Sequence, residues 1–423
     1  MDIEKYLSKF NKVTENPTLE AMEWIMNEFG NPHKKLKFIH VAGTNGKGSI
    51  CEMMSNILKN AGYKVGKFIS PHLIKFNDTI LVNNVEITDD EVSEILENLS
   101  KKIDIYNNTH KIPVKWFEVI TSLALIYFAK KECDIVVLET GLGGRTDCTN
   151  IVDSTISIIA NIGYDHMDIL GKTIEEITSH KAGIIKENSD TVMLYQEGIT
   201  PIIEKECMEK NAKLHVIKES NVTDYEYNEY YQVFNFENYN QVEINLKGKV
   251  QIYNAAICIK CVEILNKNGY TISEEAMRSG LKAVVHKARF ETLSQNPLVI
   301  FDGGHNENAI KNLIGTLTQY YQNKDKVFIV SILKTKDYKT IIYNLLKQDG
   351  KFIFTSGNDK NRYVSKEDLL EEAKKYKEEG IFAYDLETAI NKSLQEYKNS
   401  VICIIGSFYV YADVKNYLNQ FHN

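Results

Sequence analysis

Proline is scarce in this chain, at six in 423 residues, and tryptophan appears only twice. So few chain breakers, with no compositionally biased tract, leave no obvious disordered segment. The seven cysteines, at 51, 133, 148, 207, 258, 261 and 403, are odd in number and scattered. The one close pair, Cys258 and Cys261, falls within a helical pattern and has no second pair beside it, so reduced thiols in a cytoplasmic protein are expected. No apolar run approaches membrane-spanning length, and the opening MDIEKYLSKF lacks a basic segment followed by an apolar core, so no membrane partner is expected. Positive charge is not in excess either. A net charge of -7 with lysines and acids interspersed argues against broad binding to nucleic acid, and any anionic ligand must meet a local group of cations. What remains, 43% hydrophobic and 25% charged residues, is ordinary globular chemistry on a length sufficient for two domains.

The most informative stretch is Lys37 to Ala61. Phe38, Ile39 and Val41 make a short apolar run ended by Gly43, and Ile50, Met53, Met54, Ile57, Leu58 and Ala61 recur at helical spacing, so strand, glycine loop and helix follow one another. The loop is Gly43, Thr44, Asn45, Gly46, Lys47, Gly48, Ser49. Glycines let backbone N–H groups turn toward an anion, the helix start adds partial positive charge, and Lys47 can reach the terminal phosphates of a nucleotide. The stretch departs from the strict phosphate-loop pattern, since Gly48 separates Lys47 from the hydroxyl of Ser49.

Along the chain, helical patterning over the first thirty residues, with Met22, Ile25, Met26 and Phe29 on one face, leads into this cradle. Strands are expected at Val65 to Ile69, Ile135 to Leu138 and Ile156 to Ala160. Helices are expected from a capping box at Thr88 and Glu91, and from about Phe117 to Lys130. Residues 224 to 247 alternate as an antiparallel hairpin, and helices at about 251 to 267 and 273 to 284 follow. Strands near 298 to 301, 327 to 331, 352 to 355 and 401 to 405 open a second series. The expectation is an α/β protein: a doubly wound, mostly parallel sheet built around the phosphate loop (1–292), then a smaller Rossmann-like α/β domain (293–423).

In such sheets ligands bind beyond the carboxyl ends of the strands, where four polar clusters fall: the cradle, Ser70-Pro71-His72, Glu139-Thr140-Gly141 with Arg145 and Asp147, and Asp165-His166. A carboxylate, an imidazole and a hydroxyl converging near a triphosphate suit magnesium, which prefers oxygen ligands. Taken singly, Glu139 reads equally as a loop cap, His166 as a core histidine and Ser70 as a turn former. Lys181, in a helix begun near Thr173, reads from its surroundings in sequence as a lysine on a solvated face.

HVAGTNGKGS, SPHL, LETGLGGRTDCTN, IGYDHMDILGKTIEEI, KAGIIK, DGGHNENA, the Lys336-Asp337 pair and the terminal IGSFYVYADV together resemble the folylpolyglutamate synthase and dihydrofolate synthase family, within the Mur-ligase superfamily. The resemblance implies a ligase in which ATP phosphorylates a carboxylate, here of a folate or dihydropteroate, and the amine of L-glutamate attacks the acyl phosphate to give an amide. It implies that Lys47, Gly48 and Ser49 hold the phosphates and that Ser70, Glu139 and His166 bind magnesium. Lys181 matches a family lysine that is carbamylated beside a second metal, so that Lys47, His166 and Lys181 form the catalytic set. Phe117, Glu118, Arg145, Thr146 and Asp147 match positions lining the pterin site, and Asn254, Arg289, Asp302 and His305 match nucleotide contacts. A monomer whose two domains close over small-molecule substrates is expected.

The chain also departs from that family's pattern. Asp78-Thr79 stands for Glu-Arg, His180 for a Glu, and His286-Lys287-Ala288 for Trp-Pro-Gly; Val250 directly precedes Gln251 where a histidine usually stands two residues before. Two further readings stay open: a ligase of the same chemistry on another carboxylate, and a nucleotide-binding protein without ligase activity.

Overall fold

The computed structural model describes residues 3–10 and 18–422. At its centre is β1 (Phe38–Ala42), buried at all five positions. Around it run β2 (Val65–Phe68), β3 (Ile80–Val82), β4 (Val85–Glu86), β5 (Ile135–Glu139), β6 (Ser154–Ile159), β7 (Asp190–Leu194) and β8 (Lys213–Ile217). They form one sheet in the order β4-β3-β2-β5-β1-β6-β7-β8. Pairing from β2 to β8 is parallel, and β3 and β4 add antiparallel at one edge. Apolar runs with no polar alternation are what a parallel strand covered on both faces requires. Ile39, Val41, Ile135 and Val137 pack on the cradle helix Lys47–Asn60 and the helices Lys249–Lys267 and Glu274–Lys282. Phe38, Val136 and Leu138 point the other way, onto Glu20–Glu28, Asp89–Thr109 and Trp116–Lys130. The capping box at Thr88 and Glu91 is formed. Helices Ile3–Leu7 and Glu20–Glu28 occupy parts of the helical opening, whose residues 11–17 lie outside the described ones.

The hairpin expected over 224 to 247 is instead a three-stranded antiparallel sheet of β9 (Val222–Tyr227), β10 (Gln232–Phe236) and β11 (Tyr239–Ile244). Its second turn rests on Glu237, held at φ 50°, without a glycine or proline to announce it.

The second sheet contains β12 (Glu291–Gln295), β13 (Leu298–Asp302), β14 (Lys326–Val330), β15 (Lys351–Phe354), β16 (Ile381–Ala383) and β17 (Val401–Ile405). Its order is β12-β13-β17-β14-β15-β16, with β12 antiparallel and the rest parallel. The sequence pattern did not announce β12, which runs across residues 292 and 293 and pairs with the second sheet. Because β1 is flanked by β5 on one side and β6 on the other, with β2 beyond β5, the chain changes direction there, and the crevice at the carboxyl ends of β1 and β5 faces the second sheet's β13 end.

Candidate active site

The cradle begins where β1 stops. Thr44 and Asn45 N–H donate to the Asn161 carbonyl at 2.7 and 3.2 Å, and the Thr44 hydroxyl and the Gly163 backbone bond each other at 3.0 and 3.1 Å, so the loop after β6 braces it. Gly46 caps the helix with φ 91°, and a Cβ there would stand 3.0 Å from Asn254 Oδ1. The positive φ favours glycine there, and the close approach places Asn254 against the cradle. Lys47 Nζ donates to the Gly43 carbonyl at 3.2 Å and lies 3.8 Å from Glu139 Oε1.

Glu139 ends β5 and is buried. Burial pushes its carboxyl up, opposed by Lys47, by the Ser70 N–H that donates to Oε2 at 3.3 Å, and by Arg289. Ser70 and Glu139 therefore meet, with Lys47 beside them. Facing the Lys47 ammonium, the Arg289 guanidinium and one N–H, the buried carboxylate keeps oxygen lone pairs that a hard dication would fit.

Lys181, which taken alone in the sequence reads as a lysine on a solvated face, is 4% exposed. Its helix, Ile174–Ala182, lies against the glycine turn after β5: a Cβ on Gly144 would fall 2.7 Å from the His180 carbonyl and 2.9 Å from that of Lys181. Its Nζ donates to Gly43 O at 2.8 Å, the same carbonyl that Lys47 uses. Burial, and then Lys47, lower its ammonium to a pKa of about 7.

His166 faces the second domain. Its Nε2 lies 3.2 Å from Lys336 Nζ, which bonds Asp165 Oδ1 at 2.7 Å. Burial and Lys336 hold the imidazole down to about 4, so it is neutral and keeps a lone pair for a metal. Asp165 also meets His305 Nε2 at 3.7 Å and Asn306 Nδ2 at 3.3 Å, while Asn306 and Asn45 exchange amide hydrogen bonds of 3.1 Å. Lys336 and Asp165 stand in separate motifs of the sequence, and nothing at 171 residues' separation announces that they pair. Among the described residues no three His, Cys, Asp or Glu side chains form a ready cage. The expected donors are of another kind: a hydroxyl, one carboxylate, one imidazole and a modified lysine, completed by phosphate oxygens.

From the second domain, Asp302 at the end of β13 accepts Phe290 N–H at 2.9 Å and Gly304 N–H at 2.7 Å, beside Arg289, whose guanidinium lies 4.4 Å from the Phe408 ring centre. His305 packs edge-on to the same ring. Arg289, Asp302 and His305 are thus gathered, opposite the cradle.

The residues matched to the acceptor side divide. Phe117 lies 5.7 Å from Phe68 and against Gly141, where a Cβ would come 2.3 Å from its ring, so it lines the turn after β5. Glu118 is turned back on its own helix start, accepting Lys115 N–H at 2.6 Å. Asp147 is buried, accepting Leu142 and Thr149 N–H at 2.7 and 3.0 Å, and it holds the glycine turn closed. Arg145 bonds Glu206 at 2.9 Å and the Ser179 carbonyl at 3.2 Å, with Thr146 half-buried next to it.

Two of the departures have local accounts. Asp78 accepts Leu73 and Ile74 N–H at 3.0 and 2.8 Å and Thr79 donates to the Phe76 carbonyl at 2.6 Å, so both stabilise their own loop. His286 lies on the cradle, with Nδ1 3.0 Å from Ser49 Oγ. A cleft of about 290 Å³ opens between Gly48, Ser70, Glu139, His286, Arg289 and Phe408.

The chain matches the Mur ligase middle domain over residues 41–262 and the Mur ligase glutamate ligase domain over residues 288–408. It is 35% identical to the dihydrofolate synthase/folylpolyglutamate synthase of Bacillus subtilis, over 95% of this chain and 95% of that one. It is 31% identical to the protein of the same description in Escherichia coli, over 78% and 76%. Among solved structures, folylpolyglutamate synthase from Thermotoga maritima superposes with a TM-score of 0.84 at 29% identity, covering 99% and 96%. E. coli FolC in complex with DHPP and ADP does so with 0.85 at 26% identity, covering 99% and 97%.

Proposed function

The chain belongs to the dihydrofolate synthase/folylpolyglutamate synthase family of Mur ligases, and from that premise we propose that it is an ATP-dependent ligase joining L-glutamate to the carboxylate of a folate, of dihydropteroate, or of both. The observation that carries the reading is one cleft lined by Gly48 of the cradle, the buried Glu139 and Arg289, with Asp302 and His305 of the other domain set beside Arg289 and Phe408. The cradle's N–H groups and Lys47 hold the terminal phosphates, and Asn254, Arg289, Asp302 and His305 hold the nucleotide. The acceptor lies on the side of Phe117, Glu118, Arg145, Thr146 and Asp147. Its carboxylate oxygen attacks the γ-phosphorus, releasing ADP; the neutral glutamate amine then attacks the acyl carbon, phosphate leaves with the C–O bond electrons, and the nitrogen gives up one proton to phosphate or solvent. Ser70, Glu139, His166 and carbamylated Lys181 would hold magnesium, which supplies neutralisation of the phosphate charge. The Lys336–Asp165 and Asn45–Asn306 contacts join the two domains over the site, so closure and site assembly are one event.

The division into 1–292 and 293–423 is part of the same proposal, supported by the separate sheets, with β12 reaching back over the boundary. No helix among the described residues is long and apolar enough to cross a membrane, and a cytoplasmic monomer acting on small molecules is the reading that goes with this chemistry.

The test is mass spectrometry of products from tetrahydrofolate, dihydropteroate and unrelated carboxylates, each with ATP, magnesium and glutamate. A gain of one or several glutamyl units on either pterin is expected. Product from the unrelated carboxylates alone, or ATP binding without any amide, would reject it in favour of the other two readings. For the metal donors, Glu139→Ala and His166→Ala should each raise the magnesium concentration needed for half-maximal rate by at least about 10-fold and slow acyl-phosphate formation, trapped as hydroxamate. A wild-type magnesium midpoint in both variants would return the two residues to structural roles.

A further inference from the structure

We propose that His286 is a positioning residue for the phosphate cradle: its imidazole fixes the Ser49 hydroxyl and ties the cradle to the short segment that carries Arg289. This rests on the nucleotide-binding reading above. Ser49 is 3% exposed at the first turn of the cradle helix, and its Oγ lies 3.0 Å from His286 Nδ1. The far edge of the ring lies on Gly48, where a Cβ would stand 3.1 Å from both Cε1 and Nε2. The glycine that departs from the usual phosphate-loop spacing thus makes the room that this ring takes.

The segment is anchored on both sides. Upstream, the helix Glu274–Lys282 packs so closely on the cradle helix that a Cβ on Gly280 would come within 2.5 Å of Ile57 Cα. Downstream, the Ala288 carbonyl accepts Gly303 N–H at 2.9 Å and Phe290 N–H reaches Asp302 at 2.9 Å. Only Lys287 and Ala288 separate the ring bonded to Ser49 from a guanidinium stacked 4.4 Å from the Phe408 ring centre. A shift of the imidazole therefore disturbs the Ser49 rotamer and the approach of Arg289 together, and nucleotide affinity is where both are felt.

The measurement is calorimetric binding of ADP to the full chain, with the melting temperature recorded for each variant. His286→Phe, which keeps a ring without its nitrogens, should weaken ADP by about 3- to 10-fold, the worth of one hydrogen bond. His286→Asn, whose amide can still bond Ser49, should recover part of that. Ser49→Ala combined with His286→Phe should bind no more weakly than Ser49→Ala alone, since both remove the same bond. KM for the carboxylate acceptor should move less than about 2-fold, because the acceptor-side residues are untouched. Losses that multiply in the double variant, or native ADP affinity in a folded His286→Phe, would overturn the proposal. If His286→Phe loses its melting transition, the same comparison is made with His286→Leu, which also cannot bond Ser49, and its Ser49→Ala double. Absence of ADP binding by the unmodified chain would instead remove the cradle reading, and this proposal with it.

Discussion

Replacing Lys47 by alanine is expected to lower kcat by about 10²- to 10³-fold, the cost of removing one preorganised positive group from a developing oxyanion. The effect comes from position. Lys47 Nζ stands between the Gly43 carbonyl at 3.2 Å and Glu139 at 3.8 Å, held where a terminal phosphate meets the helix start. Its loss also withdraws the charge that most lowers the Glu139 carboxyl, which burial already pushes up, so Glu139 binds a cation less well at a given pH. The side chain is 17% exposed, and Lys47→Met keeps its stem while removing the ammonium. Both variants should melt within a few degrees of the unmodified chain, with Lys47→Met the nearer, because a carboxylate that loses its partner can take up a proton rather than remain a buried bare charge. Steady-state kinetics with a melting curve decide the matter: near-normal turnover in either variant would remove Lys47 from phosphate handling.

How much of this was legible in the sequence depends on distance along the chain. β5 is a continuous apolar run up to its terminal Glu139, β1 is interrupted only by His40 and β6 is apolar from Ile156 but for Ser157, and the cradle lies between such a strand and a helix that announces itself by period, so fold and phosphate loop could be read together. β16 is three half-exposed residues with no such pattern, and β12 pairs antiparallel outside the strand–helix alternation. The turn at Glu237 hides because a glutamate takes the conformation that glycine or asparagine usually marks. The site follows the same rule. Lys47 and Ser49 are local, whereas Ser49 meets His286 across 237 residues, and Asn45 meets Asn306 across 261. No period connects such residues. Lys181 reads as a solvated lysine from its own stretch because what buries it, Gly144 and the cradle's Gly43 carbonyl, lies outside its helix; the small residues Ala182 and Gly183 that follow it are the one local sign of close packing.

Lys181 carries the second large effect: Lys181→Ala should lose most of the activity, and the reason we give is carbamylation. A neutral amine attacks the carbon of CO₂, forming the N–C bond and releasing one proton, and the product is a carboxylate on a lysine stem. An ordinary exposed lysine is neutral in only about one molecule in three thousand at pH 7, whereas an ammonium lowered to about 7 is neutral in roughly half. Burial at 4% exposure and the repulsion of Lys47 thus prepare the reaction. They also make the bare cation a poor neighbour for magnesium, while the carbamate supplies oxygens of the kind a hard cation takes. At a fixed concentration of dissolved CO₂ the modified fraction should rise with pH through about 7, as the amine loses its proton. The competing account is that Lys181 merely braces the Gly43 carbonyl, to which Nζ donates at 2.8 Å. Lys181→Gln separates the two, because its amide can still donate to that carbonyl but cannot be carbamylated: a brace predicts an active enzyme, the modification an inactive one. Lys181→Glu, with a shorter carboxylate, should recover a part of what alanine loses. In the unmodified chain, ¹³CO₂ should give a carbamate carbon signal that is absent from Lys181→Gln. An active Lys181→Gln with no labelled carbamate in the parent protein would leave Lys181 as a brace and magnesium with Ser70, Glu139 and His166.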